Sequence, residues 1–212
     1  MSTFAEINTA VSKRLLDANN TAVSSSDVDN AINASVAYWK FRRFWFNEVS
    51  DSTTLTAQDG TIPLPDEFLV PVEDDGAFVI EYSNMRYPLR KLSLNEYNGI
   101  WLGNGYGRPQ YYARIALSYE CYPLPDIAYT INRHYLKQYT ALSAPTDTND
   151  FTVYADRLIM LWTTGNLIEE LRQDMEMSNY YRQAARDEYN NLQVMTTKSN
   201  STGGLTLSSA LF

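Results

Sequence analysis

Apolar residues recur every three or four positions near both ends of the chain and nearer every second position in its middle. Phe4, Ile7, Val11 and Leu15 share one helical face, which predicts a first helix that the polar Asn19-Asn20-Thr21 ends. Ser24-Ser25-Ser26-Asp27 predicts a second helix start, because serine oxygens cap free amides and a carboxylate suits the positive end of the helix dipole. Beyond it Val28, Ile32, Val36 and Trp39 form one stripe, and Ala34, Tyr38, Phe41 and Trp45 form another. Apolar residues on two faces of one helix imply burial on two sides. One side is expected to be core and the other a neighbouring subunit.

From about Asp51 the helical period is lost. Residues 53–57 and 61–64 flank Asp59-Gly60 and read as a hairpin, since Asp-Gly supplies the positive φ of a tight turn. Residues 77–82 and 86–92 flank Ser83-Asn84-Met85 as a second hairpin, with Pro88 moving its second strand to a sheet edge. A short helix is expected at Ser93, with Glu96 three residues on as a capping box. Residues 110–115 and 117–122 are expected to pair, followed by a turn at 123–126. In 128–139, Tyr129, Ile131, Tyr135 and Tyr139 point one way, while Thr130, Asn132, His134 and Gln138 point the other. Arg133, Leu136 and Lys137 blur that alternation, yet a half-buried antiparallel strand fits it best.

After the polar stretch 143–150 the helical period returns. Leu158, Leu161, Trp162, Gly165, Ile168, Leu171 and Met175 form the strongest stripe in the chain, with a break expected at Ser178-Asn179 and a continuation through Tyr181, Ala185, Tyr189 and Leu192. Residues 197–204 are rich in Ser, Thr, Asn and Gly and read as a flexible linker. Leu205, Leu207, Leu211 and Phe212 follow as an apolar tip. The pattern therefore predicts an α+β fold. A helical bundle is built from both chain ends (1–50 and 151–195), with an antiparallel β domain inserted (51–142) and a flexible C-terminal tail (196–212).

Composition narrows the chemistry. The chain has 212 residues with Lys+Arg 17 and Asp+Glu 25, a net charge of −8, and is long enough for one domain with an insertion. An acidic balance opposes wrapping nucleic acid through broad phosphate neutralisation. Cys121 alone cannot close an intramolecular disulfide, and with a single histidine, His134, the usual Cys/His zinc cluster cannot form. The apolar runs are too short to span a bilayer, and Met1-Ser2-Thr3-Phe4-Ala5-Glu6 lacks the regions of a signal peptide. The expectation is a soluble protein of a reducing compartment, without catalytic residues, metal or cofactor.

Individual signals have plain structural readings. Gly103-Asn104-Gly105-Tyr106-Gly107 lacks the lysine-serine end of a phosphate loop and the Rossmann spacing, so it reads as a surface loop. Asp74-Asp75-Gly76 lacks the spaced oxygens of a calcium loop and reads as a turn. Glu169, Glu170, Asp174 and Glu176 are explained as a solvated face. His134 has no evident partner for nucleophilic work. Lys40 to Phe46 alternates cations and rings, which suits stacking on bases but equally a helix end and a core. The 16 tyrosines suit a protein interface, where tyrosine adds area at low entropy cost. Tyr38, Trp45, Tyr129 and Tyr135 are the candidate interface aromatics. The alternative is a glycan-binding module or glycosidase using exposed tyrosines and a carboxylate pair; a regulatory nucleic-acid binder using 40–45 is a third reading.

The capped second helix ending in Tyr38-Trp39-Lys40-Phe41-Arg42-Arg43-Phe44-Trp45 is followed by Gly60-Thr61-Ile62-Pro63-Leu64-Pro65-Asp66-Glu67-Phe68-Leu69. Then come Gly107-Arg108-Pro109-Gln110-Tyr111-Tyr112, Tyr122-Pro123-Leu124-Pro125-Asp126 leading into Tyr129-Thr130-Ile131, and a long final helix. In that order the segments resemble the head-to-tail adaptor (connector, head-completion) proteins of tailed, especially short-tailed, bacteriophages. The resemblance covers most of the chain. It implies a non-enzymatic structural virion protein of the neck, made in the bacterial host cytoplasm. Such a protein forms a homo-oligomeric ring, twelve-fold in the family, joining the portal protein to a tail or nozzle protein. DNA would pass through its channel without sequence-specific binding, and no membrane is involved. A C-terminal extension reaches the portal in related proteins, and here Leu205, Leu207, Leu211 and Phe212 take that part.

Overall fold

The computed structural model describes residues 2–15, 23–72, 75–100 and 105–200, the side chain of Asn200 excepted. In chain order the elements are α1 (Phe4–Arg14), α2 (Ser25–Trp39), β1 (Glu48–Leu55), β2 (Phe68–Pro71), β3 (Phe78–Tyr82), β4 (Met85–Pro88), β5 (Arg90–Lys91), α3 (Leu94–Ile100), β6 (Tyr111–Ile115), β7 (Ser118–Tyr122), β8 (Tyr129–Lys137), α4 (Asp150–Tyr154), α5 (Asp156–Arg172) and α6 (Met175–Asn200). The fold is α+β. The chain divides into two compact units, a helical one of Met1–Asn47 with Tyr139–Phe212 and a β unit of Glu48–Gln138.

In the helical unit the predicted start signals act as read. Thr3 accepts the Glu6 amide at 3.3 Å while the Glu6 carboxylate accepts the Thr3 amide at 2.8 Å, a reciprocal cap on α1. Ser24 accepts the Asp27 amide at 3.2 Å and caps α2. Phe4, Ile7 and Val11 of α1 join Val28, Ile32, Val36 and Trp39 of α2 in one core with Phe151, Leu158, Ile159, Leu161, Ile168, Ala185 and Leu192.

Three expectations are corrected here. The second helix stops at Trp39 instead of running to Trp45. The reason is Asn47, fully buried, whose amide donates to the Lys40 and Arg42 carbonyls (3.4 and 2.8 Å) and whose oxygen accepts the Phe44 amide (2.8 Å), winding 40–47 into turns. The break after α5 falls at Gln173, not at Ser178-Asn179. Gln173 adopts a left-handed φ of 53° and the Asp174 carboxylate then accepts the Met177 amide at 3.0 Å, so a new helix begins. Leu171 and Met175 consequently leave the buried stripe and are about half exposed, at 50% and 52%. Finally, α6 continues to Asn200. Thr196 is buried, donating to the Leu192 carbonyl (2.9 Å) and accepting the Trp45 amide (3.3 Å), and Thr197 donates to the Gln193 carbonyl (3.0 Å). Residues 196–200 thus belong to a helix and not to a linker. Leu205, Leu207, Leu211 and Phe212 lie outside the described residues, as do Asp74 and Gly103-Asn104.

The β unit is organised around β8. On one side β8 pairs antiparallel with β1 along its length, from Glu48↔Leu136 to Leu55↔Tyr129, and on the other with β3 and β2. β3 pairs with β4, which makes an edge strand ending in Pro88, as its missing amide requires. The hairpin turn is two residues, Ser83 and Asn84, with φ of 51° and 60°. β6 and β7 pair as expected, and β5 joins β6 in parallel. The first predicted hairpin does not form. Residues 53–55 pair with β8, whose longer alternating run offers more ladder bonds and a buried face, and Thr61 makes a bridge to Glu120 instead. Leu55, Ile62, Phe78, Ile80, Leu89, Tyr112, Cys121 and Ile131 make this unit's core.

Candidate interaction surfaces

In the helical unit, aromatic rings run from core to surface across α2, α5 and α6. Trp39, 5% exposed, meets Trp162 edge-on at 5.2 Å and Tyr189 at 5.1 Å. Tyr38, one position before it, stacks on Trp162 at 4.9 Å with its ring planes 18° apart, and remains 50% exposed. Phe41 lies exposed beyond it. Arg182 lies over the Trp162 ring at 5.9 Å and is held there by Asn166 and by an ion pair to Glu169. Of the second apolar stripe predicted for α2, Tyr38 is exposed on the helix and Phe41 is exposed beyond its end. Trp45, beyond the helix, is half-buried against Phe46 and Tyr154.

A second apolar surface lies where α5 turns into α6. Leu171, Met175, Met177 and Tyr180 are exposed there, and Asp174, Glu176, Met177 and Tyr180 line an open cleft of about 440 Å³. No periodicity signals this corner. It follows from the left-handed Gln173, which turns residues of a helical stripe away from the core.

The other two candidate aromatics are not surface groups. Tyr135 is wholly buried and Tyr129 is 5% exposed, and this corrects their assignment to an interface. Both face the core side of β8, where the same alternation that identified the strand places them. Burial pushes the Tyr129 phenol up to about 12, helped by its hydrogen bond to the Asp126 carboxylate at 2.7 Å. Burial likewise raises Tyr135, whose hydroxyl lies 3.1 Å from Glu67 and 3.3 Å from Asp51.

Arg133 explains its break in the alternation. It sits 6% exposed on the core side, its guanidinium forked onto both Asp51 oxygens (2.7 and 2.6 Å) with a further donation to the Pro63 carbonyl (2.5 Å). No local pattern points to this partner, because Asp51 lies 82 positions away and only the β1–β8 register brings the two together.

Nucleophile chemistry finds little support in these positions. Burial pushes the Cys121 thiol up to about 12, so it stays protonated. His134 does gain a partner, Ser50, across the register (Nδ1 to Oγ 2.9 Å). No carboxylate among the described residues bonds its other nitrogen. Among the described residues no group of three or more His, Cys, Asp or Glu is placed to hold a metal ion, and no helix is long and apolar enough to cross a membrane.

Comparison with curated proteins gives no match. Comparison with protein families gives one over nearly the whole chain: residues 2–206 match the family described as SU10 adaptor protein. The match spans both units and the ordered segments that carry the resemblance to phage adaptors. The chain therefore belongs to the SU10 adaptor protein family and is a structural adaptor component of a phage virion.

Proposed function

We propose that this chain forms a head-to-tail adaptor ring, docked on the portal protein and carrying the tail or nozzle protein, with a channel through which DNA passes. The observation that carries the reading is the family match over residues 2–206. The exposed rings of Tyr38 on α2 and Phe41 just beyond it support it, because they offer aromatic area that another copy can cover. Tyr38 and Trp45 are proposed as interface aromatics between copies, of which the ring holds twelve. The acidic balance of −8 suits a channel wall along which phosphates slide, since like charge disfavours tight contact.

Attachment is proposed to run through Leu205, Leu207, Leu211 and Phe212 of each copy, inserted into apolar grooves of the portal. One such anchor binds weakly, and a ring of them binds firmly through effective concentration. The test is binding of purified portal rings by the full chain and by a chain ending at Gly204. The full chain should co-sediment with portal, and the shortened one should fold with an unchanged melting temperature yet fail to attach. Undiminished attachment of the shortened chain would remove these four residues from the mechanism.

A further inference from the structure

One arginine of the β unit is held in place without a counter-charge. Arg108 lies between α3 and β6, on backbone braced from both sides. The Gly107 amide donates to the Leu124 carbonyl at 2.8 Å, and the Gln110 amide to the Tyr122 carbonyl at 3.0 Å. The Arg90 amide donates to the Gln110 carbonyl, also at 3.0 Å. Pro109 is buried and restricts the Arg108 backbone to extended values. The side chain is fixed as well. Its guanidinium lies over the Tyr87 ring, 3.5 Å from the centroid, and that ring packs against the core of the β unit.

What the guanidinium lacks is an acceptor. Its Nε is buried with no hydrogen-bond partner, and among the described residues none of its nitrogens has a hydrogen bond or an ion pair. The Asp126 carboxylate accepts the Tyr129 hydroxyl at 2.7 Å instead. A charge answered only by an aromatic face, with one donor shut away from water, is costly to keep. Arg108 lines a cleft of about 300 Å³ with Tyr87, Pro88, Pro109, Gln110 and Tyr111, and no acid is among the described residues that line it. With Nε closed off, the two terminal nitrogens remain for a pair of parallel bonds, the geometry of a planar carboxylate. Two prolines and two rings suit the CH2 stem of an acidic side chain better than a hydrated phosphate. The net charge of −8 also opposes a polyanion.

We propose that this cleft binds the carboxylate of a glutamate or aspartate side chain of a partner protein, gripped by Arg108, with its stem against Tyr87 and the two prolines. The site belongs to the β unit alone and does not depend on the ring or portal reading.

The test is the rate at which phenylglyoxal labels each arginine of the folded full chain, read by peptide mass spectrometry. The exposed Arg86 and Arg90 serve as internal references. Three probes are compared at equal ionic strength: a capped proline–glutamate dipeptide, its proline–glutamine counterpart and inorganic phosphate. The glutamate peptide should slow labelling of Arg108 saturably, by at least about threefold at twice its Kd, and leave Arg86 and Arg90 unchanged. The glutamine peptide should give no protection, and phosphate less than the glutamate peptide. Tyr87→Leu removes the stack and should lose the protection at an unchanged circular dichroism spectrum. The wild-type comparison of the three probes decides alone if that variant does not fold. Labelling of Arg108 unaffected by the glutamate peptide, or slowed equally by the glutamine peptide, overturns the site. Protection by phosphate as strong as by the glutamate peptide overturns its assignment to a carboxylate. Either failure leaves the adaptor reading untouched.

Discussion

The helical unit and the β unit bury their large side chains by different means. In the helical unit the core is apolar nearly throughout, and a buried polar contact such as Ser35–Thr163 (2.7 Å) is satisfied within it. In the β unit a charged arginine lies at the edge of the core, fixed by one carboxylate and one carbonyl. The first arrangement is held by volume and loses stability when atoms are removed. The second is held by pairing and loses stability when one partner leaves the other behind. The helical unit also keeps Tyr38 of α2, and Phe41 just beyond its end, exposed.

The largest expected effect is in the helical unit. Trp39→Ala removes a ring that touches Trp162 and Tyr189, and should cost about 3–5 kcal/mol, as other core aromatics do. A native-like denaturant midpoint would show that this core does not depend on filled volume. In the β unit, Asp51→Ala leaves Arg133 buried and unpaired, at a cost of about 3 kcal/mol. Replacing both, Asp51→Ala with Arg133→Met, should recover much of that loss. No recovery in the double variant would mean that the pair is not what distinguishes this core.

Smaller effects sharpen the contrast. A Cβ at Gly165 would stand 3.2 Å from the Ser178 carbonyl and 3.1 Å from Arg182 Cγ, so Gly165→Ala should cost about 1–3 kcal/mol through α5–α6 separation. The measurement is the urea midpoint. Tyr38→Ala, on an exposed face, should change stability by less than about 0.5 kcal/mol while lowering self-association. A large stability loss would return Tyr38 to the core.

The pH response should not separate the units. Asp147 accepts the Ser143 and Ala144 amides in one unit, and Glu96 accepts the Ser93 amide and hydroxyl in the other. These bonds hold both carboxyls below their ordinary range. A depressed folded value means that the stabilisation is complete above the unfolded value and is lost as pH falls through the folded one. Carbon-13 titration of the two carboxyls should show midpoints under those of free Asp and Glu.

The two cores were not equally legible in sequence. Phe4, Ile7, Val11 and the stripe from Val28 to Trp39 fall in the helical core because period 3.6 is a local property. β8 and the β3–β4 and β6–β7 hairpins were legible for the same reason, since alternation and turn residues lie within a few positions. The pairing of β1 with β8 was not, because Asp59-Gly60 offers a nearer partner, and the choice is made by ladder length and burial across some 80 positions. Tyr129 and Tyr135 were placed on the right side of β8. Both are buried, and tyrosine content alone does not tell an interface from a core.

The most direct test of the adaptor account is an image reconstruction of the neck of a virion containing this chain. The account predicts a closed ring of copies of this chain between portal and tail, with a central channel and with residues 205–212 of each copy inserted into the portal. A chain located elsewhere in the virion, or present between portal and tail as single unringed copies, would contradict it.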